Sequence, residues 1–260
     1  MIASLVRGVG EVTIRRSQPV IHMAVILGQT LRALAGLSLF NAVVLRTTIR
    51  QMDSIALKAL PMVCVSALVL GSITVHYLLA SLTSLGAYDR IGEYLIASLV
   101  HEIGPVTCAI ILMFRSGTAT ITEVAHMKLE GELDTLHMLD IPLKDYVYLP
   151  RVFSFALAGL SLTLVFILVS MLGGYFTMGY FQDITFDNYL DQILYALEPD
   201  SLVILLVKPL CMALAVAVLS IQRGMSVLTS YADIPSRLTQ GLMYTVTLII
   251  VVEVVFIIFS

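Results

Sequence analysis

Charge is scarce in this chain. Only 13% of its 260 residues are Asp, Glu, Lys or Arg, against roughly 25% in an ordinary soluble domain. With 58% of the residues hydrophobic, too few polar side chains remain to coat a water-facing surface. Cysteine is also sparse. Cys64, Cys108 and Cys211 lie far apart in apolar stretches, which argues against a disulfide framework or a thiolate metal cluster and reads as small packing residues. A net charge of −3 gives no footprint for nucleic acid. Arg7, Glu11, Arg15 and Arg16 interrupt any apolar core of a cleavable signal peptide.

Catalytic signatures are missing as well. No G-x-x-x-x-G-K-[ST] sequence occurs, so a phosphate-cradling loop for ATP is not expected. His101-Glu102 begins like a zinc-protease motif, but Pro105 stands where the second histidine belongs, and the chelating imidazole pair is lost. There is no G-x-S-x-G elbow. No cofactor and no metal is expected, and no enzymatic chemistry.

What is present is a set of long apolar runs. A hydrocarbon slab of about 30 Å needs about 20 helical residues. Five stretches meet this: 57–80, 91–114, 150–178, 201–221 and 241–259. Runs such as Leu202 to Leu206 and Met212 to Leu219 carry no polar face, which a soluble bundle would require. The fold expected is all-α and integral to a membrane, with five transmembrane helices.

The placement of charge orients it. Arg7, Arg15, Arg16, Arg32, Arg46 and Arg50 precede the first run and Lys58 stands at its start; Arg115, Lys128, Lys144 and Arg151 follow the second; Arg223 and Arg237 follow the fourth. The first connection has only Arg90, and 179–200 has no Lys or Arg beside Asp183, Asp187, Asp191, Glu198 and Asp200. Basic residues gather on the cytoplasmic side, so the N-terminus is expected inside and the C-terminus outside. Residues 1–56 read as an N-terminal interfacial amphipathic helix, with Val20, Ile21, Ala24, Leu27, Leu31, Leu34 and Leu37 at helical spacing. Residues 57–260 form the five-span domain. Its long cytoplasmic connection carries amphipathic helices at about 118–140, with a stripe of Ile121, Val124, Ala125, Leu129, Leu133 and Leu136 and a break at Gly131.

Four ionisable groups fall at membrane depth: His101, Glu102, Lys208 and Glu253. A charge at mid-bilayer costs at least a few kcal/mol, so these should face protein or a wet cavity. They are candidates for substrate contact; the structural alternatives are an ion pair holding helices together and, for Lys208, a side chain reaching to the interface.

The second run and the segment after it resemble the MlaE/YrbE family of permeases. That family's approximate E-L-G-P-V, R-x-G-S-A and A-E-x-x-x-M elements correspond, without gaps, to Glu102-Ile103-Gly104-Pro105-Val106, Arg115-Ser116-Gly117-Thr118-Ala119 and Thr122-Glu123 with Met127. The E-Q-I-D-A-L element corresponds to Gly131-Glu132-Leu133-Asp134-Thr135-Leu136, and P-R to Pro150-Arg151. The chain departs from the family at His101, where arginine is common, at Gly131 and Glu132, and at Pro142, one position early.

The resemblance implies the permease subunit of an ABC transporter working as a homodimer. Its partners would be a separate cytoplasmic ABC ATPase, an MCE-domain protein on the outer side, often a small STAS-domain protein, and phospholipid as cargo. It implies a head-group region bordered by His101 and Glu102, and docking to the ATPase through Glu123, Met127, Leu133, Asp134 and Leu136. The bacterial inner membrane is expected over a chloroplast envelope, because no transit-like leader precedes the interfacial helix. Two other classes rest on the residues alone: a solitary ion-driven carrier working through His101, Glu102 and Glu253, and a scaffold subunit without a transport path. The first lacks paired inverted halves; the second would tolerate any change at Glu102.

Overall fold

A computed structural model describes residues 42–86, 90–181, 199–227 and 230–259, with single positions at 25, 28, 189, 191, 193, 195 and 196. Most of the expected interfacial helix, within 1–56, lies outside the described residues. Among the described residues these α-helices have defined bounds: α1 (Ala42–Met52), α2 (Leu60–Ser84), α3 (Ile91–Leu95), α4 (Gly104–Leu112), α5 (Thr118–Leu129), α6 (Glu132–Met138), α7 (Leu149–Phe181), α8 (Pro199–Met225) and α9 (Ile234–Phe259). Wider π-helical turns at Asp53–Leu57, Ile96–Ile103, Met113–Gly117 and Lys144–Tyr148 join several of them without ending the helical path. No strand occurs among the described residues.

Among the described residues, five helical runs are long and apolar enough to cross a bilayer: Val44–Ser84, Ile91–Leu129, Lys144–Phe176, Ser201–Met225 and Tyr231–Ile258. The protein is an all-α, five-span membrane protein. Several runs outlast the apolar stretches read from sequence. Hydropathy locates the lipid-crossing core, whereas helical hydrogen bonding continues through polar residues wherever other protein or water accepts them.

The chain divides into two compact units. One comprises Met52–Ser116, Ser154–Val216 and Thr245–Ser260; the other comprises Met1–Gln51, Gly117–Phe153 and Ala217–Tyr244. In the first, helices meet at small residues. A Cβ on Gly71 would stand 2.6 Å from the Cα of Ser170, so α2 and α7 touch almost backbone to backbone. Ser170 Oγ donates to the Ala67 carbonyl at 3.0 Å, and Ser72 Oγ to that of Gly173 at 3.3 Å. A Cβ on Gly159 of α7 would lie 2.4 Å from the Ala213 Cβ of α8. In a bilayer there is no water to expel between helices, so close van der Waals contact and interhelical hydrogen bonds do the holding. Tyr189 adds a further tie, donating to the Met171 carbonyl at 3.2 Å; burial pushes its phenol up, so the hydroxyl stays a donor.

In the second unit, α5 and α6 are separated at Gly131, whose φ of +75° is left-handed. The expected break falls there. Ala125, Val227 and Ile234 form a buried cluster with Leu129 beside it, and a Cβ on Gly224 would come within 2.6 Å of the Val124 Cβ.

The spans differ in how much protein covers them. Half or more of the apolar windows of the second, third and fourth spans is buried (56%, 56% and 50%), against 28% for the first and 17% for the fifth. The first and fifth therefore present broad apolar faces outward, with Val65, Val69 and Ile73 on one and Ile250, Val254 and Ile257 on the other.

Candidate functional site

The second span cannot be a regular helix at its centre. Pro105 has no N–H, so the carbonyl four residues back, that of His101, loses its helical donor. Gly104 meanwhile donates five residues back, to Leu99, closing the π-helical stretch Ile96–Ile103. Such bulges frequently mark functional positions. The unused carbonyl points to Lys208 of α8, whose Nζ donates to the His101 oxygen at 2.6 Å.

Lys208 is the centre of the site. It is 1% exposed and its ammonium also reaches Glu253 Oε1 at 2.9 Å and Glu102 Oε2 at 3.5 Å. Three donors meet three acceptors from two other spans. All four ionisable residues singled out at membrane depth thus converge. Lys208 is a buried hub and does not reach out to an interface. The Glu102 side chain remains 44% exposed, whereas that of Glu253 is 17% exposed, so Glu102 is the member open to a ligand.

His101 links this cluster to open space. It borders a cavity of about 660 Å³ together with Arg90, Glu93, Ile96, Asp191, Tyr195 and Ser201, a size typical of small-molecule sites. Its Nε2 is buried and meets no hydrogen-bond partner among the described residues. The mixed lining, apolar walls with a few charges of both signs, suits an amphiphile better than an inorganic ion. No group of three His, Cys, Asp or Glu side chains among the described residues is arranged to hold a metal. Nothing local in the sequence ties Asp191 and Tyr195 to His101, some ninety residues away. The tie between Lys208 and the second span was readable in part: a proline four residues after His101 announces a free carbonyl.

The motif after the second span has a structural role at the opposite side of its own helix. Arg115 donates to the Ser54 carbonyl at 2.9 Å and Ser116 Oγ to that of Ile55 at 3.4 Å. These oxygens belong to the π-helical turn Asp53–Leu57, where regular donors are displaced.

The residues expected to dock an ATPase divide into two groups. Glu123 Oε1 lies 3.0 Å from Arg151 Nη2, and Met127 Sδ lies 3.5 Å from the same nitrogen. Both border a cavity of about 460 Å³ that also includes His126, Glu130, Glu132 and Tyr146. Asp134 is exposed and Leu136 half-buried, but Leu133 is buried. Part of the apolar stripe read from sequence is covered within the chain. Ile121, Val124 and Ala125 are 2% exposed or less, and they pack on this chain's own α8 and α9. Periodicity reveals that one helix face is apolar, not what covers it. The apolar side chains left most bare in this connection are Met138, at 86% exposure, and Leu139, at 64%.

The model of the family described as Permease MlaE matches residues 48–259. A Rickettsia felis protein named "Probable ABC transporter permease protein" is 24% identical over 224 residues, 86% of this chain and 85% of its own length. The Haemophilus influenzae "Intermembrane phospholipid transport system permease protein MlaE" is 27% identical over 148 residues, 54% of this chain and 57% of that one. Arabidopsis thaliana TRIGALACTOSYLDIACYLGLYCEROL 1, a chloroplastic protein, is 26% identical over 181 residues, 70% of this chain and 52% of its own. Matched from the end of α1 to the end of α9, across every span, this chain belongs to the MlaE permease family.

Proposed function

We propose that this protein is the permease subunit of an ABC transporter that carries phospholipid between the bacterial inner membrane and an MCE-domain carrier on the outer side, powered by a separate ATPase. The observation that supports this most is the family match across residues 48–259. The Haemophilus relative, named as a phospholipid transport permease, supports phospholipid as the cargo. The sequence offers no nucleotide-binding loop, so the energy comes from another chain.

Two copies would enclose the lipid, using the sparsely covered faces of the first and fifth spans. Acyl tails lie against these apolar walls, and the head group meets Glu102 and His101. Lys208 and Glu253 hold that pair in place through the bonds described above. Nucleotide-driven movement enters through residues 118–140 on the cytoplasmic side, with Glu123, Met127, Asp134, Leu136 and the bare Met138 and Leu139 toward the ATPase. A ligand shifts such a conformational equilibrium only by binding its states unequally; closure that squeezes the cavity near His101 would lower its affinity for lipid.

Reconstitution with the ATPase and the MCE protein tests this. Fluorescent phospholipid transfer should be abolished by Glu102→Arg and by Leu136→Asp, with both variants still inserted in the membrane. ATP-independent transfer by the isolated chain, or wild-type rates in both variants, would overturn it.

A further inference from the structure

Arg223 lies in the last turn of α8 and is 8% exposed. Other buried cations of this chain have partners: Lys208 has two carboxylates, and Arg151 has Glu123. Among the described residues no hydrogen bond or ion pair takes up the guanidinium of Arg223, and its Nε is buried without a partner. Its one strong contact is a ring: the guanidinium carbon stands 4.2 Å from the centroid of Tyr244 on α9. Nor is the arginine needed to close its own helix, since Lys128 Nζ donates to the Met225 carbonyl there.

Depth identifies the surroundings. Arg223 is 22 residues from Ser201, about 33 Å along α8, so it stands at the edge of a hydrocarbon slab of about 30 Å. Tyr244 lies on the mostly bare fifth span, 52% exposed next to Met243 at 69%. A tyrosine at this level with an apolar flank is a membrane-interface residue. The arginine is stacked on it at the boundary of the leaflet on the side of α5, whose Val124 packs against Gly224.

We propose that Arg223 and Tyr244 form a site for the phosphate of an anionic glycerophospholipid in that leaflet, separate from the cavity at His101. The planar guanidinium offers paired N–H donors that match two phosphate oxygens. Stacking holds its plane fixed, at little cost in side-chain freedom. The net charge of the head group neutralises a cation that has no counter-charge among the described residues, and the acyl chains run along Met243 and the fifth span. The site does not depend on the transport reading: it concerns a resident lipid and is read without ATP.

The chain contains no tryptophan, so Tyr244→Trp creates a sole tryptophan, excited at wavelengths the tyrosines do not absorb, that still stacks a guanidinium. The full-length variant is reconstituted in vesicles that carry brominated phosphatidylglycerol or brominated phosphatidylcholine at equal fractions. A single arginine at a membrane surface favours an anionic lipid by about five-fold. Quenching should therefore report a several-fold enrichment of phosphatidylglycerol, reduced at high salt and absent when Arg223→Gln is added. Equal quenching by the two lipids in the Tyr244→Trp chain overturns the proposal even if the double variant fails to insert, and so does enrichment that survives Arg223→Gln. In phosphatidylcholine vesicles, inorganic phosphate should leave the emission unchanged; a phosphate-dependent change without lipid selectivity overturns the lipid as the source.

Discussion

At the scale of single residues, the weight of the membrane core rests on Lys208. A lone ammonium at 1% exposure would be untenable in hydrocarbon; here it is shared by the Glu253 and Glu102 carboxylates and the His101 carbonyl. Removing one member of a buried ionic group is worse than removing the group, because the remaining charge keeps its desolvation cost. Lys208→Met should therefore destabilise the detergent-solubilised protein by about 3 kcal/mol, seen as a lowered thermal midpoint. Adding Glu102→Gln and Glu253→Gln to it should recover much of the loss. A triple variant no more stable than Lys208→Met would refute this account. The four residues were legible in sequence as charges out of place. Their convergence was not, since 45 residues separate Lys208 from Glu253 and 107 separate it from the His101 carbonyl.

At the scale of elements, glycines decide where helices approach and where they stop. A Cβ on Gly159 would overlap the Cβ of Ala213 at 2.4 Å, so Gly159→Leu should force α7 and α8 apart and reduce the yield of folded, monodisperse protein. Gly131 is different. Nothing lies within 4 Å of a Cβ built there, and only its φ of +75° resists substitution. Gly131→Ala should thus cost about 1 kcal/mol in local stability, read as faster hydrogen exchange across Glu132–Met138, while the spans remain protected. Gly131 could be read as a break because glycine between two amphipathic stretches is a local signal. Gly159 could not, since its partner lies on another helix. The stripe Ile121, Val124 and Ala125 shows the same limit: the sequence revealed its apolar face, and the fold spent that face inside the chain.

For the molecule as a whole, the five spans among the described residues make an odd number of crossings. Fusion reporters should show the N-terminus in the cytoplasm and the C-terminus outside, in line with the excess of basic residues before the first span and after the second and fourth. A reporter active in the cytoplasm at both ends would contradict the odd number of crossings. The uneven cover of the spans is also a property of the whole. The lipid transport proposed above requires apolar surface that the chain does not itself bury, and the first and fifth spans have it.

Length and order of the apolar runs followed from local composition alone, because a bilayer imposes one length and one backbone solution on whatever crosses it. The motif residues around Pro105, Arg115 and Glu123 were equally visible, being close together in the chain. Tertiary structure alone decided that Lys208 answers the carbonyl freed by Pro105, that the stripe on α5 is covered by α8 and α9, and that Arg223 lies over the ring of Tyr244. Each of these joins residues far apart in sequence, and which distant groups meet is fixed by helix packing, for which a linear pattern carries no coordinate.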